Sequence, residues 1–214
     1  MPGPVYHATV ERAFARLYDR VLRPSEAAGL ADRRHALLAG AGGATLELGA
    51  GTGLNLPHYP DAVTELILTE PGEYMVRRLW ETVAASGRQA EVISAPADRL
   101  PFADGRFDTV VCTLVLCTVT APAATLDEVR RVLRPGGRFL FLEHVRSEDR
   151  GVARWQDRLD PVQRFLGDGC HPNRDTLGAI EASPLIVESV EHGRLPKAAP
   201  HIRPMIVGTA VAPA

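Results

Sequence analysis

Three glycines and an acid carry the first chemical signal. Residues 45–55 read TLELGAGTGLN, so Gly49, Gly51 and Gly53 alternate with Ala50 and Thr52 directly after a short apolar run. Glycine tolerates positive φ and leaves the backbone bare, which lets a ligand approach it closely. A helix starting at such a turn adds unpaired N–H groups and a partial positive charge, suited to a phosphate or a carboxylate. The spacing here is G-x-G-x-G. Leu54 stands where the third glycine of the dinucleotide fingerprint G-x-G-x-x-G belongs, so the loop does not read as an NAD site. Glu70, in ELILTEP, comes about twenty residues after the first glycine, the offset at which a carboxylate accepts two hydrogen bonds from a ribose diol. Alone it passes equally for a surface acid; beside the glycine loop it points to a nucleoside.

A second set of reactive side chains lies further along. Glu143 and His144 end the apolar run FLFLEHV. His144 either orients or deprotonates a bound molecule, or bonds to backbone beneath a cover. Asp168, Cys170 and His171 share the glycine-broken loop GDGCH. A carboxylate beside a histidine raises its basicity; the plainer reading is a turn in which Asp168 ties up backbone donors and Cys170 is packed. His201, between Pro200 and Ile202, either closes a pocket from the far side or serves structure alone. Cys112, Cys117 and Cys170 match no zinc spacing and read as free thiols, with Cys117 a small buried hydrophobe. No metal is expected.

These groups need a frame, and the apolar pattern supplies one. Strands are expected at 44–48, 64–69, 90–94, 107–113 and 138–143, with helices near 53–58, 72–86 and 122–133. Such alternation argues a parallel sheet covered on both faces. Before it, Val10, Phe14, Leu17, Tyr18, Val21 and Leu22 recur at helical spacing, and Ser25 can cap a second helix running to Gly40. After it, residues 151–166 and 173–182 read as helices and 184–192 and 203–211 as closing strands. One domain is expected: N-terminal cap helices over 1–43, a ligand-binding core over 44–145, a helical insert over 146–183 and closing strands over 184–214. Trp155, Phe165 and Leu166 either roof the site or pack on the sheet.

Composition limits the partners. The chain has 214 residues, is 45% hydrophobic and carries a formal net charge of −2. That suits one full α/β core and gives no basic excess for nucleic acid or an anionic membrane. The pairs Arg33-Arg34, Arg77-Arg78 and Arg130-Arg131 read as solvated helix faces. Neither a membrane span nor a secretion signal is apparent, so the expected address is cytoplasmic, without stable membrane insertion.

In order, LELGAGTG, the acid after the second strand, RLPFADGRFDTVV and VLRPGG resemble the successive motifs of class I S-adenosylmethionine-dependent methyltransferases, across residues 44–145. The resemblance implies a Rossmann-like, doubly wound seven-stranded sheet, mostly parallel with an antiparallel last strand. It implies S-adenosylmethionine as cofactor. Glu47 and Gly49, Ala50, Gly51, Thr52 and Gly53 would hold its methionine part, Glu70 its ribose, with Pro71 and Tyr74 beside the adenine. Ala97 and Asp98 would meet the adenine edge, and Cys112, Thr113 and Leu114 would line the methionyl end. Many relatives carry an acid where this chain has Pro96, so Asp98 either substitutes or that contact is missing.

The C-terminal third, from EHV through the Trp-Gln pair, Asp-Gly-Cys and Pro-His-Ile, is similar to small alkyl-thiol S-methyltransferases of the methyltransferase-like group. That implies a small, largely apolar methyl acceptor, with a thiol favoured. The family's mammalian relatives carry a membrane anchor that is not expected here. His144, Asp168 and His171 are the candidate catalytic residues; Tyr18, Cys117, Glu143, Cys170 and His201 are the candidate acceptor contacts. Quinone or phenol C- or O-methylation and phospholipid N-methylation are the enzymatic alternatives. A cofactor-binding sensor without catalysis is the non-enzymatic one.

Overall fold

Period-two alternation in the central strands decides the architecture. The strands are β1 (Gly43–Leu48), β2 (Val63–Thr69), β3 (Glu91–Ile93), β4 (Phe107–Thr113), β5 (Leu133–His144), β6 (Ile186–Arg194) and β7 (Pro204–Val211). They form one sheet in the order β3-β2-β1-β4-β5-β7-β6. The first five pair in parallel, and β7 runs antiparallel to both β5 and β6. The computed structural model describes residues 4–214, with side chains for Arg12 and from Phe14 onward. Val10, expected on the first helix's apolar face, lies outside those side chains.

The helices are α1 (Pro4–Ser25), α2 (Ala31–Leu38), α3 (Glu73–Ser86), α4 (Pro122–Val132), α5 (Arg150–Leu166) and α6 (Thr176–Glu181). Leu46, Val110, Cys112, Phe139 and Phe141 face one side of the sheet and pack with Leu126 and Val129 of α4 and Ile180 of α6. Leu66, Leu68, Val111, Leu140 and Leu142 face the other and pack with Leu37 and Leu38 of α2 and Leu79 of α3. Both faces are thereby taken from water, which is why these strands read as nearly unbroken apolar runs. Each fully buried leucine or phenylalanine contributes roughly 1.5–3 kcal/mol.

Three local expectations fail for physical reasons. Ser25 makes no side-chain cap; its backbone is helical, α1 runs into a π turn at Glu26–Leu30, and the break falls at Gly29, with φ 115°. No helix follows the glycine loop beyond a single 3-10 turn at Leu56–His58. Pro57 lacks the N–H that a longer helix needs, and Asn55 is drawn inward by side-chain bonds. The loop's donors are therefore turn amides rather than the end of a helix. Finally, α4 stops at Val132, and β5 starts at Leu133 rather than at 138. Pro135 disfavours helical backbone at Arg134, and Gly136, at φ 73°, bonds to Ala212 O as the strand turns back into register.

The insert is fastened by acids at helix starts. Asp149 accepts from the amides of Gly151 and Val152 and opens α5, and Asp175 accepts from Gly178 and opens α6. On the sheet itself, Phe141 lies over Gly208: a Cβ there would sit 2.5 Å from the ring and 2.4 Å from Ser189 O. Gly208→Ala should destabilise the fold by about 1–3 kcal/mol through overpacking. Urea unfolding checks this; an unchanged midpoint would show that β7 has slack the packing denies.

Candidate active site

The strand order reverses between β1 and β4, so the loops leaving these neighbours diverge and open a cleft at the carboxyl ends of the strands. The cleft encloses about 330 Å³. Of the residues singled out from sequence, Tyr18, Gly49, Gly51, Glu70, Pro71, Ala97, Asp98, Leu114 and Asp168 line it. Phe14, Met75, Pro96, Val115, Thr118, Val119, Thr120 and Gly167 also line it, so its wall mixes apolar and polar surface.

Positive φ is required at the loop. Gly49 and Gly51 stand at 56° and 58°. A Cβ at Gly49 would approach Val115 to 2.7 Å, whereas at Gly51 its nearest neighbour would be the Tyr18 ring at 3.9 Å, across the cleft. Glu70 fixes the loop from the next strand: Oε2 accepts from Gly51 N at 3.0 Å and Oε1 from Gly72 N at 2.9 Å. Burial pushes its carboxyl above the usual range, against those two bonds. Each carboxylate oxygen keeps further acceptor capacity toward the cleft. An acceptor at one wall, bare backbone beside it and the apolar surface of Met75, Pro96 and Ala97 beyond form a lining that fits a nucleoside carrying an amino-acid tail.

Helix α1 lies over this loop. Thr52 donates to Asp19 at 2.6 Å, and the Arg78 guanidinium holds both Asp19 and the carbonyl of Ala15. Phe14 and Tyr18 consequently face the cleft, while Leu17 and Val21 of the same apolar face are exposed. Desolvation raises the Tyr18 phenol far above its ordinary value.

Behind the loop stands a buried polar network that the sequence did not announce. Glu47 accepts from Asn55 Nδ2 at 2.8 Å and from the Tyr59 hydroxyl at 2.7 Å. Arg34 donates to Asn55 Oδ1 at 2.9 Å, Thr113 Oγ1 at 3.0 Å and Glu26 at 3.1 Å. Arg34 is only 2% exposed, so one half of the expected solvated pair Arg33-Arg34 is a core residue. Glu47, Ala50, Thr52, Gly53, Cys112 and Thr113 stand behind the cleft surface rather than on it; Gly53 packs beneath Leu56 and Leu79. Tyr74 lies outside the lining, near Arg77.

The reactive side chains of the C-terminal third form a second buried layer. Glu143 is fully buried and its Oε1 accepts from Val115 N and Leu116 N and from the Cys112 thiol, which anchors the turn after β4. His144 Nε2 lies 2.9 Å from Cys170 Sγ. Burial opposes charge on His144, yet the Cys170 sulfur holds its pKa above the ordinary value; Cys170 is lowered, by the Cys117 thiol first and by His144 after it. The carboxylate beside His171 is Asp160, at 2.9 Å, rather than Asp168. His201 meets Gln163 at 3.4 Å. None of His144, His171, Cys117, Glu143, Cys170 and His201 lines the cleft. Asp168 does, at φ 49°, with its carboxyl raised by desolvation. Trp155, Phe165 and Leu166 are each about half exposed or more, at 58, 49 and 65%.

Two further residues, missed from sequence, hold this layer. Gln156, fully buried, reaches the carbonyls of Val145, Pro172 and His201 with its amide nitrogen and accepts from Ser147 N. Arg174 donates to Leu116 O and Val119 O across the cysteine turn. The Trp-Gln pair offered a signal for Gln156, as a resemblance and not as a role.

Glu47 makes the network pH-sensitive. Burial, against its bonds to Tyr59 and Asn55, raises it to about 7. The unfolded chain releases that proton near pH 4 to 5. Its contribution is therefore full below about pH 4 and is lost as pH rises through about 7. Glu143, also raised to about 7, acts in the same sense. Glu47→Gln should reduce the fall in stability between pH 5 and 7 by about 1–3 kcal/mol. Urea unfolding at both pH values measures this; an unchanged slope removes Glu47 as its source.

Known proteins agree with this geometry. Residues 46–141 match the family described as methyltransferase domain. The chain is 38% identical to thiol S-methyltransferase TMT1B of Homo sapiens over 81% of this chain and 73% of that protein. It is 37% identical to the human thiol S-methyltransferase TMT1A over 78% and 69%. Among solved structures, a putative methyltransferase from Bacillus halodurans superposes with a TM-score of 0.71 at 16% identity, over 86% of this chain and 98% of that one, a likeness of fold. The chain belongs to the class I S-adenosylmethionine-dependent methyltransferases, in the group that includes these two human relatives.

Proposed function

We propose that this enzyme methylates a small, largely apolar thiol. The observation that carries the reading is the cleft's composition. Beside the glycine loop and Glu70 it is walled by Phe14, Leu114, Val115 and Val119, with Asp168 as a carboxylate on the same surface. The names of the two human relatives support the same acceptor class.

The bound cofactor supplies a methyl group already activated on a sulfonium. The protein's task is then to align the acceptor, exclude water and favour its deprotonated form. In this reading Gly49 and Gly51 hold the amino-acid tail, with Ala50, Thr52 and Gly53 shaping the loop behind them. Glu70 accepts from the ribose hydroxyls, and Pro71, Ala97 and Asp98 surround the adenine, with Tyr74 outside the lining. Leu114 closes the methionyl end, with Cys112 and Thr113 behind it and Glu47 bracing the loop through Asn55. Tyr18 covers the acceptor from α1. Asp168 takes the acceptor's proton, its raised pKa bringing it nearer to that of a thiol. His144 and His171 sit one layer back as positioning residues of the loop that carries Asp168.

Glu70→Ala should weaken binding of the cofactor or its demethylated product by about 1–3 kcal/mol, since charge-assisted hydrogen bonds are lost. Calorimetry decides it, and equal affinity would remove Glu70 from the ribose. For the acceptor, labelled cofactor is offered with thiols, phenols, amines and quinones. Product from thiols alone is expected; product from another class overturns the assignment. Asp168→Asn should lower turnover about 100-fold at neutral pH with cofactor affinity held. The deficit should shrink toward pH ~8.5, where free thiols ionise unaided. A deficit independent of pH would show that Asp168 does not take the proton.

A further inference from the structure

Behind the cleft wall, three ligating side chains from distant parts of the chain converge. Cys117 lies in the turn after β4, His144 ends β5, and Cys170 follows the turn after α5. Their ligand atoms all lie within 4.8 Å of one another, and all three residues are buried. Two successive left-handed residues, Asp168 at φ 49° and Gly169 at φ 87°, turn the chain so that Cys170 faces inward. The strands of the cluster are clamped together: His171 N donates to Cys117 O at 2.9 Å, and Arg174 grips the carbonyls on either side of Cys117. His144 Nδ1 is buried and has no partner among the described residues. Sequence spacing could not reveal this set, because its members are far apart along the chain and share no short motif.

We propose that Cys117, His144 and Cys170 form a site for a thiophilic divalent cation, Zn²⁺ in the first instance, with three protein ligands and a fourth position for an exogenous sulfur. Two thiolates and a neutral imidazole suit zinc in softness, and three protein ligands with one position left open are the pattern of catalytic rather than structural zinc. The two thiolate charges balance the cation, so the buried site is neutral overall. Zn–S and Zn–N lengths of about 2.3 and 2.0 Å place tetrahedral donors roughly 3.5–3.8 Å apart. The His144–Cys170 separation of 2.9 Å has to open by well under 1 Å to meet that, and the others lie inside 4.8 Å. Thr118, next to Cys117, and Asp168, two residues before Cys170, line the cleft, so the open position belongs on the cleft side.

The fourth position deepens the thiol reading and rests on it; the metal site itself does not. An acceptor thiol that binds there does so as thiolate, its proton passing to the Asp168 carboxylate, and keeps a sulfur lone pair for the methyl group.

The test starts from metal content. The full chain, purified without chelators and equilibrated with Zn²⁺ under reducing conditions, should retain about one zinc per chain by mass spectrometry of the metal. Co²⁺ in its place should give thiolate-to-metal charge-transfer bands and the strong visible bands of a tetrahedral ion. Cys117→Ser and Cys170→Ser should each lose zinc affinity at least about tenfold, while Cys112→Ser, whose sulfur serves Glu143 instead, keeps it. Circular dichroism checks that each variant is folded, and the cobalt spectrum of the unaltered chain does not depend on any variant. A chain that retains no zinc, or a zinc that survives replacement of both cysteines, overturns the site. A small alkyl thiol should shift the visible cobalt bands, and an alcohol of the same shape should not; equal response to both overturns the sulfur position. A chain that holds zinc yet methylates no thiol refutes the acceptor reading and leaves the metal site standing. Thiol methylation at an unchanged rate by a chain stripped of zinc overturns the sulfur position and leaves the acceptor reading standing.

Discussion

A buried guanidinium organises the end of the sheet from which everything functional hangs. Arg34 leaves water at α2 and is offset by Glu26, Asn55 and Thr113. Such a cation is tolerated only when its donors are met, because an unpaired buried charge costs several kcal/mol. Asn55 in turn has both ends engaged, to Arg34 and to Glu47. The glycine loop runs between Glu47 and Asn55, so its two ends are pinned by one polar assembly. That explains how a loop without a following helix holds a fixed shape: side chains do what successive helical hydrogen bonds do elsewhere in the chain.

Three glutamates repeat this device at the ends of β1, β2 and β5. Glu47 ends β1's polar side and holds Asn55 and Tyr59; Glu70 follows β2 and holds Gly51 and Gly72; Glu143 ends β5 and holds Val115 and Leu116. Only Glu70 reaches the cleft. Glu70 and Glu143 fix turns by accepting backbone N–H groups, while Glu47 fixes the loop through two side chains, and burial opposes the charge on all three. The cleft is thus shaped by turns that acids on the sheet hold in place, and its own surface combines apolar side chains with Glu70, Asp98 and Asp168.

The parts of this molecule that follow from local pattern were legible in the sequence. Alternating apolar strands gave the sheet, and glycine plus acid at a fixed offset gave the mouth of the cleft, because both signals live within a few residues. The limits were equally physical. Pro57 and Pro135 each moved an element boundary by removing a donor or excluding helical backbone, effects that apolar periodicity does not register. Arg34 looked like a surface cation because its partners Asn55 and Thr113 come from other elements. His171 was matched with the nearer acid in sequence, Asp168, whereas helix α5 brings Asp160 to its ring. Asp168 instead lines the cleft, from a left-handed position.

The insert between β5 and β6 is more than a cover. Its helix α5 contributes Gln156, which binds three carbonyls belonging to three separate segments, at Val145, Pro172 and His201. Those segments include the end of β5, the turn after Cys170 and the approach to β7. One amide therefore couples the position of α5 to the histidine and cysteine layer and to the closing strand. Meanwhile α1 is tied to the glycine loop through Asp19 and Thr52 on the other side of the cleft. Tyr18 and Asp168 are carried by these two separately anchored pieces, yet both line the same cavity. The acceptor side of the cleft is thus held from two directions, through α1 to the glycine loop and through Gln156 to the end of β5 and the approach to β7.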